Sequence, residues 1–300
     1  ETPASEEFGE TVEKAIRFLV EAQEDSGHFK YRDGHDYTHP IAAYALSEAF
    51  AMTRVPMVKY AAEKALALVV KGQHKSGGWN YNLNQDDRDD TSYMGWCVQA
   101  VKAGSLAGLE VEGLEEVKKR AILGMKKNYG TGAKSNMGGF GYTSPNAKHG
   151  LTGVGVLCMQ LLGAGNAKEV QGGLRTLQGS QCIWGEKGFH NDNYFWYYIT
   201  QAKFHTGGDT WVKWNKTFSP VLVKNQTVIP KDQSGYVDHK GEPQQIGWWE
   251  MPEENAHHTA GPVMDTTLAA LQLQVYYRYL PTFKTPKVDD LAKAGFEADD

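Results

Sequence analysis

Between residues 77 and 101 the chain reads GGWNYNLNQDDRDDTSYMGWCVQAV, with Asp86, Asp87, Asp89 and Asp90 crowded ahead of an apolar stretch. Adjacent carboxylates repel, so in a partly buried loop one of them holds its proton nearer neutral pH and becomes a general acid. Beside aromatic rings, such an acid protonates a substrate while the rings stabilise the resulting cation. Asp90 suits an N-cap for a helix opened by Thr91. Arg88 works against acid function, because a guanidinium favours ionised neighbours. The same residues would also serve as a plain helix cap with solvated neighbours, or as an oxygen cluster for a divalent cation. Asp89, Asp87 and Asp90 are the catalytic candidates, and Asp86 is an alternative metal ligand.

Histidines make a second set. His35, Asp36 and His39 precede one apolar segment, His149 opens another, His190 with Asp192 precedes a third, and His257, His258 and Asp265 flank a fourth. His35 and His39 have a spacing that helices use for metals, although Pro40 makes 35–39 read as loop. Each histidine alone suits a loop hydrogen bond; together they suggest a polar, titratable ring. The aromatic residues Trp79, Tyr81, Phe140, Tyr142, Tyr194, Tyr197, Trp248 and Trp249 lie in or beside the same loops. With His149 and His258 they form the candidate ligand-binding set. Their rings would wall an apolar cavity, stack on sugars, or plug gaps between neighbouring elements.

What must position these residues is a repeat. GETVEKAIRFLVEAQ (9–23) carries Val12, Ile16, Leu19 and Val20 at helical spacing and leads to Gln23, Gly27 and Phe29. MVKYAAEKALALVVKGQ (57–73) leads to Gln73, Gly77 and Trp79 at identical offsets. Looser copies at 113–129, 167–181 and 211–226 lead to Phe140, Phe189 and Tyr236, giving intervals from Phe29 of 50, 61, 49 and 47 residues. After each loop comes a more apolar segment, at 39–53, 90–108, 149–163, 193–207 and 261–280. Segments apolar all round are buried, and amphipathic ones cover them. The pattern predicts an all-α fold, an α/α toroid of about five helical hairpins with inner and outer rings, over residues 9–283. Residues 1–8 read as a tail and 284–300 as a second, acidic one. The five glycine-aromatic loops then gather at one end of the ring, where the inner helices start.

FLVEAQEDSGHF (18–29) resembles the QW motif of squalene-hopene cyclases and related terpene cyclases. GGWNYNLNQDDRDDTS resembles their Gly-Gly-Trp loop and Asp-x-Asp-Asp-Thr signature, matched by Asp87–Arg88–Asp89–Asp90–Thr91. The resemblance implies that Asp89 is the acid protonating a C=C bond or epoxide, supported by Asp87 and Asp90. YFWYYITQAKFHTGGDTWVKWN and TTLAALQLQVYYRYLP look like bacterial single-toroid proteins of the prenyltransferase and squalene-oxidase repeat type. Squalene cyclases have two helical barrels and this chain has length for one, so a second chain completing the cavity is among the expected partners. The Asp-x-Cys pair of zinc prenyltransferases does not occur.

Composition narrows the field. With 300 residues, a net charge of −5 and no run of 18 apolar residues, neither nucleic acid nor a membrane span is expected. Cys97, Cys158 and Cys182 cannot all pair, and the first two sit in apolar segments that suit buried free thiols. The first eight residues lack a signal pattern and would equally suit a cleaved terminus, leaving cytoplasmic and secreted or periplasmic locations open. No cofactor is expected beyond a divalent cation at the acidic loop, and the ligand classes are a small hydrophobic isoprenoid or a saccharide. Three functions follow: a cyclase-like enzyme, a carbohydrate-active or carbohydrate-binding toroid, and a non-catalytic, partner-binding scaffold.

Overall fold

The computed structural model describes residues 2–30, 37–131, 137–146, 149–185, 192–252 and 261–277. Its helices are α1 (Gly9–Ala22), α2 (Thr38–Thr53), α3 (Pro56–Lys71), α4 (Thr91–Ala107), α5 (Leu114–Lys127), α6 (His149–Leu161), α7 (Lys168–Leu177), α8 (Asn193–Thr206), α9 (Gly208–Lys224) and α10 (Pro262–Leu273). The fold is thus mainly helical, and every expected helix is present. The last expected segment ends early, α10 giving way to a 3-10 turn at Val275–Tyr277.

Two antiparallel hairpins interrupt the helical pattern. β1 (Tyr129–Thr131) pairs with β2 (Gly138–Phe140), and β3 (Thr227–Ile229) with β4 (Ile246–Trp248). Three-residue strands containing Gly-Gly-Phe or Ile-Gly-Trp carry too little alternation to be read in advance.

Burial differs sharply between neighbouring helices in the middle of the chain. Fourteen of the seventeen residues of α4 are buried, against five of fourteen in α5. Alternate helices pack in series, α2 on α4, α4 on α6, α6 on α8 and α8 on α10, and each of the first four is flanked by the amphipathic helix that follows it. Glycines permit the close approach: a Cβ at Gly95 of α4 would stand 2.7 Å from Val154 Cγ1 of α6, and one at Gly153 would stand 2.8 Å from Ile199 Cγ1 of α8.

The repeated Gln–Gly offset has a specific cause. Gln73 Nε2 donates to Gly77 O and to Val117 O of α5, both at 2.9 Å, and Gln23 Nε2 donates to Gly27 O at 3.0 Å and to Ala61 O of α3 at 2.9 Å. Each glutamine therefore ties its own loop to the next amphipathic helix. Gly77 has φ +95° and its missing Cβ would overlap the Arg120 carbonyl, so only glycine fits there.

A last contact ties distant parts of the chain together. Glu7 accepts a hydrogen bond from Tyr236 Oη at 2.8 Å and from the His239 backbone at 3.0 Å, and also pairs with the His239 ring. The excursion between β3 and β4 thereby reaches back to the segment ahead of α1, and residues 2–8 of the expected tail form turns.

Candidate functional site

Neighbouring aspartates in the acidic loop turn opposite ways. Backbone bonds from Asp90 N to Trp79 O and from Thr91 N to Tyr142 O, both 2.8 Å, hold the chain extended just before α4. Successive side chains on extended backbone point to opposite sides. The Asp89 carboxylate faces the amphipathic layer: Oδ1 bonds to His74 Nδ1 at 2.9 Å and accepts from Ser76 Oγ at 2.8 Å, while Oδ2 pairs with Lys127 Nζ at 2.9 Å. A Cβ at Gly78 would overlap this carboxylate. Asn128 Nδ2 completes the clamp, donating to Asp89 O at 2.8 Å and to Thr91 Oγ1 at 3.0 Å. Asp89 is thus a buried, multiply bonded crosslink between repeats.

Asp90 faces the aromatic residues. Its Oδ1 caps α4 by accepting from Tyr93 N at 3.0 Å, and its Oδ2 accepts from Arg88 Nη2 at 3.1 Å. Burial pushes its pKa up, opposed by bonds from the Tyr93 backbone and the Tyr142 hydroxyl and by the Arg88 charge. From Asp90 a chain of hydroxyls runs inward. Tyr142 Oη lies 2.6 Å from Tyr81 Oη, which lies 2.7 Å from Tyr37 Oη; Tyr37 donates to Ser92 Oγ at 3.1 Å, and Ser92 Oγ lies 2.9 Å from Tyr194 Oη. Burial pushes the Tyr37 phenol up to about 12 and those of Tyr81 and Tyr194 higher still, and raises Tyr142 as well. All four remain neutral hydroxyls near pH 7, able both to donate and to accept. The Arg88 guanidinium covers the outer end, 5.2 Å from the Tyr142 ring centre and 5.6 Å from that of Tyr81.

The remaining candidates divide by burial. Trp79 and Phe140 are fully buried plugs rather than accessible walls: Trp79 Nε1 donates to Val69 O at 2.8 Å, and Phe140 lies where a Cβ on Gly155 of α6 would overlap its ring. Tyr197 is buried deeper, stacked on Trp96 with ring centres 5.9 Å apart and donating to Gln99 Oε1 at 3.0 Å, which fills the space between α4 and α8. Trp249 is buried and donates to Leu222 O at 2.7 Å, whereas Trp248 in β4 is half-buried. His39 lies within α2, not in a loop; its Nδ1 accepts from Phe29 N at 3.2 Å and its Nε2 bonds to Ala65 O at 3.0 Å, so both nitrogens are occupied. Asp86 and Asp87 are exposed, Asp86 accepting from Asn80 Nδ2 at 2.7 Å. His149 is the first residue of α6. His35, Asp36, His190, His257 and His258 lie outside the described residues. Among the described residues no group of three or more His, Cys, Asp or Glu side chains is placed to hold a metal ion.

Carboxylates recur where α8 and α10 begin. Asp192 caps α8 by accepting from Tyr194 N at 2.8 Å, and Asp265 in the first turn of α10 accepts from Met251 N at 2.9 Å. All three cysteines are buried and free, and burial pushes their thiols up. Sequence reasoning passed over Tyr37 and Ser92, although both sit at helix starts where the glycine-aromatic loops converge. The clamp residues His74, Ser76, Lys127 and Asn128 belong to no motif and could be found only from the fold. Among the described residues no helix is long and apolar enough to cross a membrane. Comparison with protein-family models, with curated proteins and with solved structures finds no match to this chain.

Proposed function

We propose that this chain is an α/α toroid of the squalene-cyclase-like, prenyltransferase-repeat kind, and that it protonates an isoprenoid with Asp90, rather than Asp89, as the general acid. The toroid reading is supported by the serial packing of α2, α4, α6, α8 and α10 and by the return of Tyr236 and His239 to Glu7. The acid assignment rests on one observation: of the three candidate carboxylates, Asp90 alone is both buried and bonded into the tyrosine cluster. Burial raises its proton affinity, and the hydroxyls of Tyr142, Tyr81 and Tyr37 form a path for reprotonation. Their ring faces already accommodate one cation, that of Arg88, and a substrate carbocation would draw on the same attraction. Asp89, held by Lys127, His74 and Ser76, orients the loop that carries Asp90. A substrate would enter at the Tyr37–Tyr81–Tyr142 end, because Trp96 and Tyr197 fill the middle.

The test is incubation of the purified chain with linear isoprenoids such as squalene, with products read by gas chromatography and mass spectrometry. The expected result is a cyclised product whose formation falls by about 10²-fold or more in Asp90→Asn, the usual scale for losing a general acid. Turnover that survives Asp90→Asn sinks the assignment.

A scaffold reading draws on a different observation. Asp90 shares its capping role with Asp192, and Trp96, Tyr197 and Tyr198 fill the space between α4 and α8. It gains if no isoprenoid is turned over and Asp90→Asn changes stability alone.

A further inference from the structure

A cleft of about 730 Å³ opens on the outside of the fold between the end of α5, the β1 strand and α7. Its walls carry Lys126 from α5 and Lys168 and Arg175 from α7, with Glu169 the one carboxylate among the described residues that line it. Among these described lining residues three cations face one anion, in a chain whose net charge is −5. Lys126 lies in the last turn of α5, where a cation meets the helix dipole. Its neighbour Lys127 satisfies the same preference and is spent on Asp89. Lys126 is held more loosely, 3.9 Å from Glu169, with 41% of its side chain exposed. Lys168 is exposed and has no ion pair among the described residues.

The floor of the cleft is built, not incidental. Positions 168, 172 and 175 fall on one stripe of α7, and the middle one is glycine. A Cβ at Gly172, or at Gly138 of β2, would overlap the Tyr129 hydroxyl, so both glycines exist in contact with that ring. Tyr129 therefore sits over α7 between Lys168 and Arg175. The seven-residue separation of those two cations corresponds to about 10 Å along the helix. Such a spacing is too wide for one tetrahedral anion to satisfy both.

We infer that this cleft binds an elongated oligoanion, with anionic groups at Lys168 and at Arg175 and its middle lying over Tyr129, opposite Lys126. The guanidinium of Arg175 would take a phosphate, sulfate or carboxylate by its planar fork, and the lysines would act as point charges. Phosphate chains and acidic oligosaccharides share this chemistry.

The experiment is calorimetric titration of the full chain at low salt with three probes: orthophosphate, a short-chain linear polyphosphate and a sulfated oligosaccharide. The linear polyphosphate or the sulfated oligosaccharide is expected to bind at least about tenfold more tightly than orthophosphate and to weaken as salt is raised; the tighter of the two identifies the source. Lys168→Glu and Arg175→Glu should each weaken that binding by about tenfold. Lys14→Glu, which reverses an exposed charge on α1, an element that does not line the cleft, should leave it within about twofold. Melting curves check that each variant folds, with Lys168→Gln and Arg175→Lys as milder replacements. Equal affinity for orthophosphate, equal loss in Lys14→Glu, or no binding at low millimolar probe overturns the proposal.

Discussion

Asp89→Asn separates a carboxylate that holds the loop from one that does chemistry. The substitution keeps the shape but removes the charge that meets Lys127, His74 and Ser76. The Lys127 side chain is half exposed, so solvent screens that pair and it contributes on the order of 1 kcal/mol. The bonds from His74 and Ser76 are buried or nearly so, and each loses about 1 kcal/mol when its acceptor becomes neutral. The sum is about 3 kcal/mol. Since roughly 1 kcal/mol moves the midpoint of a domain this large by about 2 °C, a fall of about 6 °C is expected. Differential scanning calorimetry reads it, and Asp90→Asn, which keeps a capping oxygen, should fall by less. A shift under about 1 °C for Asp89→Asn, accompanied by lost turnover, would refute the crosslink and return the acid role to Asp89.

Other consequences can be checked in the same preparations. Gln73→Leu takes the donor from the buried Gly77 carbonyl and the second donor from Val117 O, and should cost about 1–3 kcal/mol in urea unfolding, more than Gln23→Leu at its half-buried site. Gly77→Ala combines a positive φ with overlap on the Arg120 carbonyl, so it should lose at least about 3 kcal/mol or fail to accumulate folded. Burial lowers the pKa of Lys203 to about 8, its ammonium lying 4.2 Å from the Trp214 ring centre. From about pH 8 to 10.5 the unfolded chain alone keeps that proton, so stability rises with pH across this window; Lys203→Met should raise the midpoint at pH 7 and remove the rise. Tyr37 has the opposite sign. Its folded pKa of about 12 exceeds the ordinary value near 10, so its contribution is whole below pH 10 and is lost as pH climbs through 12, which ultraviolet titration of the phenols would follow.

The alternation of amphipathic and fully apolar segments was legible because burial on one face or on all faces writes different periodicities. The identical Gln–Gly offsets at 23–27 and 73–77 were legible as a repeat, but their purpose was not, since the partner carbonyls of Ala61 and Val117 lie 38 and 44 residues away. Choosing between Asp89 and Asp90 was beyond a one-dimensional reading. On extended backbone a shift of one residue reverses the side faced, and the spacing of a motif matches equally well in either orientation. Burial of Trp79 and Phe140 posed a similar difficulty: an aromatic after Gly-Gly serves as a plug or as a wall depending on the glycines opposite, and Gly155 lies 15 residues beyond Phe140.

The contact between Glu7 and Tyr236 spans 229 positions of the chain. On a ribosome adding roughly 5–20 residues per second, Glu7 emerges about 11 to 46 s before its partner is made. During that interval the early hairpins have only their immediate successors to lean on, as the glutamine ties allow. Joining of Glu7 to the β3–β4 excursion is then a late event, and the interval before it is when an incomplete chain would exchange segments with a neighbour.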